Sequence, residues 1–272
     1  MHDPAESEEN FPTVPETSHL IPEDEVPVDI RSEKNQRLLV SSLYASWAGA
    51  PSLEIDGEVV VEGPRPFLAT ANVGLFDRPV NDPLVPDVLV SNDVQLGPHD
   101  WGPEGTRSYF IWEHGKPPEL VIELVSNRKG GELARKRQRY ARMRVAHYVV
   151  FDAGRQLGGL KLRAYKLVNA QLEPVLVPSD GRVDIDPLGL WEGNFEHQDG
   201  LWLRFFDREG RLLLTGDERA LAEGQRAEAE SQRAEAERLR ADAERQRAEA
   251  QMEKAEALAA KLRELGVDPE SL

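Results

Sequence analysis

A chain of 272 residues allows one or two domains with a real core, and the absence of cysteine excludes disulfide frameworks, thiolate chemistry and cysteine-ligated zinc. No apolar stretch is long enough to span a bilayer and no basic-then-apolar leader opens the chain, so the expectation is a cytoplasmic protein without membrane association. The net charge of −16 is held unevenly: residues 1–29 carry nine acids and no base, 217–265 thirteen acids against ten bases, and the last seven residues two acids, which leaves −2 for 30–216.

Residues 1–29 are acidic and studded with proline, the composition of a disordered arm. Ser32 is placed to cap a helix whose inward stripe is Leu38, Leu39, Ser42, Leu43, Ser46 and Trp47. Strand-like runs follow at Leu53–Glu62, turning at Asp56-Gly57, at Phe67–Val73 and at Leu84–Val90. A Gly/Pro/Asp-rich loop occupies Ser91–Arg107, and Ser108–Trp112 returns to strand composition. Glu119–Val125 has the length and β-branched content of a buried strand, bounded by Pro117-Pro118 and by Ser126–Gly131. A helix is predicted over Glu132–Arg144, a strand over His147–Asp152, and hairpins over Leu160–Leu167 with Leu172–Val177 and Leu201–Phe206 with Arg211–Leu214. Strand, helix, strand in that order implies an α/β unit, with the remaining strands joining a mixed sheet.

From Asp217 to Leu265 the sequence repeats every seven residues in alanine, glutamate, arginine and glutamine, which predicts a long helix ending before Gly266 and a short tail, 266–272. An alanine column from Ala222 to Ala257 can form a coiled-coil seam with Gln225, Gln232, Leu239 and Gln246. That seam is thin, so a solvated single helix and self-association through the helix both remain open.

Chemistry concentrates in the middle. In a strand over 119–125, Val121, Glu123 and Val125 face one way and Leu120, Ile122 and Leu124 the other, so a carboxylate stands in an apolar ribbon, costly unless a cation pairs with it. Asp87 sits in the Pro86-Asp87 corner before Val88–Val90; on its own it also reads as a strand-start aspartate. Lys136 shares a helix stripe with Leu133 and Tyr140, and pairs either with such a carboxylate or with Glu132 one turn earlier. Two carboxylates and a lysine suit phosphodiester hydrolysis assisted by a hard divalent cation. Arg128–Arg144 holds eight bases against Glu132 alone; Arg128, Lys129, Arg135, Arg137, Arg139 and Arg142 are candidates for DNA phosphate contacts, or else a solvated helix face. His99, His114 and His147 lack metal-ligand spacing, and neither a glycine-rich phosphate loop nor a Gly-x-Ser-x-Gly elbow occurs.

The run PDVLV, then PELVIELVS, a basic helix with Lys136 and Tyr140, then HYVVFD resembles the Uma2 family of the PD-(D/E)XK nuclease superfamily, over roughly Arg31–Leu214. The resemblance implies a restriction-endonuclease-like α/β fold, a mixed β-sheet flanked by helices, and a metal-dependent DNA endonuclease using Mg²⁺ or Mn²⁺. Asp87 matches the aspartate of the PD motif and Glu123 the acid of (D/E)XK, with the carbonyl of Leu124 as a further metal ligand. The motif lysine falls at position 125, where this chain has Val125; family members commonly carry a lysine in the following helix instead, here Lys136. Position 132, often aspartate in the family, is Glu132, and the usual tryptophan after Tyr148 is Val149. The C-terminal helix resembles tails on some members. Val125 also supports the opposite expectation, an inactive nuclease-fold scaffold that assembles through its helical tail.

Overall fold

The computed structural model describes residues 29–56, 58–78, 83–97, 108–126, 131–183, 185 and 188–264. The acidic arm up to residue 28, His99, Arg128, Lys129 and the tail 266–272 lie outside the described residues. The chain divides into two units, Met1–Leu213 and Leu214–Leu272.

The first unit opens with α1 (Ile30–Ser46). Its cap is Asp29 and not Ser32: the Asp29 carboxylate accepts from the backbone N–H groups of Arg31 and Ser32 at 3.0 and 3.1 Å and from the Ser32 hydroxyl at 2.6 Å. One side chain thereby satisfies two of the amides that a helix start leaves without partners. Replacing it, Asp29→Ala, is expected to cost about 1 kcal/mol by chemical denaturation, and Ser32→Ala about half as much or less. The buried stripe runs Ser32, Asn35, Gln36, Leu38, Leu39, Ser42 and Leu43, more polar toward its start than hydropathy alone suggests.

Among the described residues, thirteen strands follow: β1 (Leu53–Ile55), β2 (Glu58–Val61), β3 (Phe67–Ala71), β4 (Gly74–Phe76), β5 (Val88–Asn92), β6 (Ser108–Phe110), β7 (Leu120–Leu124), β8 (His147–Phe151), β9 (Leu162–Val168), β10 (Gln171–Val175), β11 (Arg182–Val183), β12 (Leu188–Phe195) and β13 (Gln198–Phe205). The short α2 (Ile111–His114) follows β6 directly, so the strand predicted to reach Trp112 stops at Phe110. A π-helical turn (Glu132–Lys136) leads into α3 (Arg137–Arg142) between β7 and β8.

The main sheet has the order β10-β9-β8-β7-β5-β3, with β7 and β8 parallel and every other neighbour antiparallel. Both faces are covered, which explains why all five residues of β7 are buried. Leu120, Ile122 and Leu124 join Leu39 and Leu43 of α1 and Leu203 and Phe205 of β13 on one face. Val121 joins Tyr140, Tyr148, Val150 and Tyr165 on the other. The alternation expected from period two is therefore the alternation observed, with Glu123 on the α3 face.

A three-stranded sheet, β11-β12-β13, lies against α1. Asn35 serves as a surrogate strand partner there, donating to the Leu203 carbonyl at 3.0 Å and accepting from the Leu203 N–H at 3.2 Å. This arrangement corrects the last predicted hairpin. Leu201–Phe206 pairs with β12, a strand absent from the sequence reading, and the returning segment contributes the isolated bridge Phe206–Leu212. Likewise β5 begins at Val88 rather than Leu84, which makes only an isolated bridge to Leu75. Asp87 thus stands at the mouth of the strand rather than within it.

The second unit carries α4 (Gly216–Glu264), which begins one residue before the predicted start; the predicted end, Leu265, lies outside the described residues. Among the described residues, no helix is long and apolar enough to cross a membrane.

Candidate active site

The antiparallel register sets Val88 of β5 opposite Ile122 of β7, so the residue before β5 and the last two residues of β7 meet at one end of the sheet. There the Asp87 carboxylate accepts the Leu124 N–H at 2.7 Å with one oxygen and the Gln36 amide at 2.5 Å with the other. Gln36 is held in turn by Asn72, which donates to its carbonyl oxygen at 2.8 Å.

Glu123 projects from β7 toward the turn that precedes α3. Lys136 Nζ donates to its Oε2 at 2.6 Å and the Tyr140 hydroxyl to its Oε1 at 2.6 Å. The choice between two partners for Lys136 resolves in favour of Glu123, because Glu132 Oε1 lies at 3.9 Å. Lys136 and Tyr140 sit four residues apart on one helical face, as the stripe requires. The helix itself differs from the continuous α-helix predicted over Glu132–Arg144. Its first turn is π-helical, with the Lys136 N–H donating to the Gly131 carbonyl at 3.1 Å. Gly131 holds the left-handed conformation there (φ 70°), and the Glu132 carbonyl is taken by the Tyr148 hydroxyl at 3.1 Å. A carbonyl engaged from outside the helix leaves the regular ladder, and a wider turn follows.

Burial dominates the electrostatics. Glu123 is 2% exposed, and burial, reinforced by the Asp87 charge and opposed by Lys136 and the Tyr140 hydroxyl, pushes its carboxyl up to about 7. Burial also raises Asp87, against the Leu124 N–H, Gln36 and Lys136, while Glu132 adds to the rise. The Asp87 charge therefore makes Glu123 harder to ionise. Glu132 is buried, and its Oε2 has no hydrogen-bond partner among the described residues.

Two mutually repelling carboxylates, with a buried acceptor oxygen beside them, are a donor set that a small hard dication fits. No group of three or more His, Cys, Asp or Glu forms a metal cluster among the described residues. A cation here would thus take Asp87, Glu123, a main-chain oxygen such as that of Leu124, and water. Val125, at the position of the motif lysine, packs among apolar residues on the α3 face, so Lys136 brings the only ammonium that bonds Glu123 among the described residues.

The basic residues of this region separate into groups. Arg135 and Arg142 are exposed and Arg139 is half-buried. Arg137 lies over the Tyr165 ring at 5.2 Å. The sequence reading missed Gln36 and Asn72. Gln36 was detectable as a polar residue three before Leu39 on the inward stripe of α1, whereas Asn72 follows β3 with no signal beyond its turn composition.

Comparison with known proteins adds one finding. The model of the Uma2 family, described as "Putative restriction endonuclease", matches residues 55–194, just over half of the chain and the stretch that holds Asp87, Glu123, Lys136 and Tyr140. No curated protein and no solved structure matches the chain.

Proposed function

The chain belongs to the Uma2 family, with its restriction-endonuclease-like fold, and from that premise we propose that it is a DNA endonuclease dependent on Mg²⁺ or Mn²⁺. The observation that carries this reading is the meeting of the buried Glu123 carboxylate and the half-buried Asp87 carboxylate with the Lys136 ammonium, which bonds Glu123 at 2.6 Å. Asp87 and Glu123 would hold the cation, with the Leu124 carbonyl as a third ligand. A bound divalent cation supplies Lewis acidity toward the phosphate and acidifies water.

The chain's own residues do the rest. Gln36 and the Leu124 N–H fix the Asp87 carboxylate, and Tyr140 fixes that of Glu123, so neither pays for reorientation during the reaction. Lys136 has three N–H donors and commits one to Glu123. Those remaining can orient an attacking water or offset charge that develops on the phosphate. Arg135 and Arg142 lie exposed on the helix that carries Lys136, where phosphates flanking the scissile one would be met without regard to sequence.

Supercoiled plasmid is expected to be nicked in Mg²⁺ and left intact in EDTA. The double variant Arg135→Ala/Arg142→Ala is expected to weaken DNA binding and flatten its dependence on log salt by about 2, with Mg²⁺ affinity unchanged. A second reading, an inactive scaffold on the same fold, is favoured by Val125. Calorimetry separates the two: a scaffold takes up no Mg²⁺ or Mn²⁺ saturably, whereas the nuclease does so and loses the uptake in Glu123→Gln.

A further inference from the structure

The helix α4 is 49 residues long, about 74 Å at the usual rise per residue, and its side chains are exposed almost throughout. Leu239, near its midpoint, is 63% exposed. A helix polar on nearly every face is either held by its own ion pairs or covered by a partner. Among the described residues, the ion pairs Arg219–Glu223 and Arg245–Glu249 are i,i+4 contacts at the surface. Arg219 opens a basic column, Arg226, Arg233, Arg240 and Arg247, which recurs every seven residues and continues at Lys254 and Lys261.

Heptad positions give that column a meaning. With alanine at every a position from Ala222 to Ala257, the d positions are Gln225, Gln232, Leu239, Gln246, Glu253 and Ala260. The basic column then falls at e, and an acidic column (Glu228, Glu235, Asp242, Glu249, Glu256) falls at g. The second alanine column, Ala220 to Ala255, cannot serve as a seam. It is flanked on one side by Glu223, Glu230, Glu237 and Glu244 and on the other by the g acids, so two such faces repel in either orientation.

We propose that α4 pairs through its a/d seam with α4 of a second copy of this chain, parallel and in register. In a parallel pair each g residue meets the e′ residue five positions further along the other helix: Glu228 with Arg233, Glu235 with Arg240, Asp242 with Arg247, Glu249 with Lys254, Glu256 with Lys261. All five pairings are of opposite charge, and symmetry repeats them on the other side. In an antiparallel pair g meets g′ and e meets e′, so every pairing is of like charge. Each exposed pair contributes little on its own. The sign of the whole set nevertheless fixes orientation, while small alanines at a let the backbones approach closely around Leu239. The first unit ends at Leu213 and α4 begins at Gly216, so a parallel pair tethers both copies of the first unit at the same end. This inference stands apart from the nuclease reading, since it uses none of the residues of that site.

The chain has no cysteine, so one introduced thiol reports on one position. In the full-length chain, Gln232→Cys is expected to form a disulfide between two copies on mild oxidation, and sedimentation is expected to show twice the mass of the 30.5 kDa chain. The triple variant Glu228→Arg/Glu235→Arg/Asp242→Arg is expected to weaken self-association at least about tenfold, and mixing it with Arg233→Glu/Arg240→Glu/Arg247→Glu to restore pairing between the two. The proposal is overturned by a monomer at every concentration reached, or by pairing indifferent to the triple reversal. A mixture of Gln225→Cys and Ala257→Cys chains that cross-links to each other in place of the Gln232→Cys link overturns it as well, because an antiparallel pair sets d positions against a′ positions and these two then face one another, with Leu239 against Ala243.

Discussion

Glu123→Gln is expected to reduce Mg²⁺-dependent plasmid nicking by about a thousandfold or more while the protein stays folded. Glutamine keeps the length and shape of the side chain and one carbonyl oxygen, so the Tyr140 hydroxyl and Lys136 each retain a polar partner at the position now bonded at 2.6 Å. What disappears is the negative charge, and with it half of the anionic ligand set for a dication. Glu123→Ala is less informative, because it strands the Lys136 ammonium and the Tyr140 hydroxyl in a buried space. Breaking one side of a buried pair costs about 3–5 kcal/mol, so lost activity there would be confounded with lost structure. Lys136→Met separates the remaining roles. It is expected to slow cleavage while leaving Mg²⁺ uptake measurable, because the ammonium is a neighbour of the ligands and not one of them. Wild-type cleavage rates in Glu123→Gln would remove the assigned site altogether.

Much of this site could be read from residue order because strand and helix periods are strict. Period two placed Glu123 opposite Leu120, Ile122 and Leu124, and a spacing of four placed Lys136 and Tyr140 on one face; both relations recur in the structure. The long helix was legible for the same reason, since a heptad repeat of strong helix formers has few competing structures. Readings failed where a tertiary contact overrode the local signal. The π-turn at Glu132–Lys136 follows a hydrogen bond from Tyr148 on the neighbouring strand, which no window around residue 132 contains. Strand β12 was missed because Gly189 and Gly193 resemble turn residues. At Gly193 the glycine answers to space: a Cβ there would stand 2.3 Å from the Trp191 ring, which lies across that position. Arg204 is a comparable case, a fully buried guanidinium that donates to the Leu213 carbonyl at 2.9 Å and lies over the Trp191 ring at 5.0 Å. Gln36 and Asn35 belong to the same class: polar residues on a buried stripe, justified by partners more than thirty residues away.

The second large effect is a fall in the stability of the metal-free protein as pH rises from about 4.5 to about 7. The Glu123 carboxyl titrates at about 7 in the folded chain against 4.5 for an unperturbed glutamate, so over that window the folded state holds a proton that the unfolded state has released. Stability must then decline with pH, because the unfolded state binds fewer protons. It is fully present below the unfolded value and lost on passing the folded one. A rise of this size in a side chain so deeply buried corresponds to about 3 kcal/mol. Asp87, also raised by burial, acts with the same sign and extends the decline toward lower pH. Urea denaturation in EDTA at pH 5, 6, 7 and 8 measures the slope, and Glu123→Gln is expected to flatten most of it. Added Mg²⁺ is expected to restore stability far more at pH 8 than at pH 5, because the cation replaces the proton that the ionised pair has lost. A slope that persists unchanged in Glu123→Gln would mean that some other buried group carries the proton, and that the two carboxylates do not repel one another strongly enough to demand a cation.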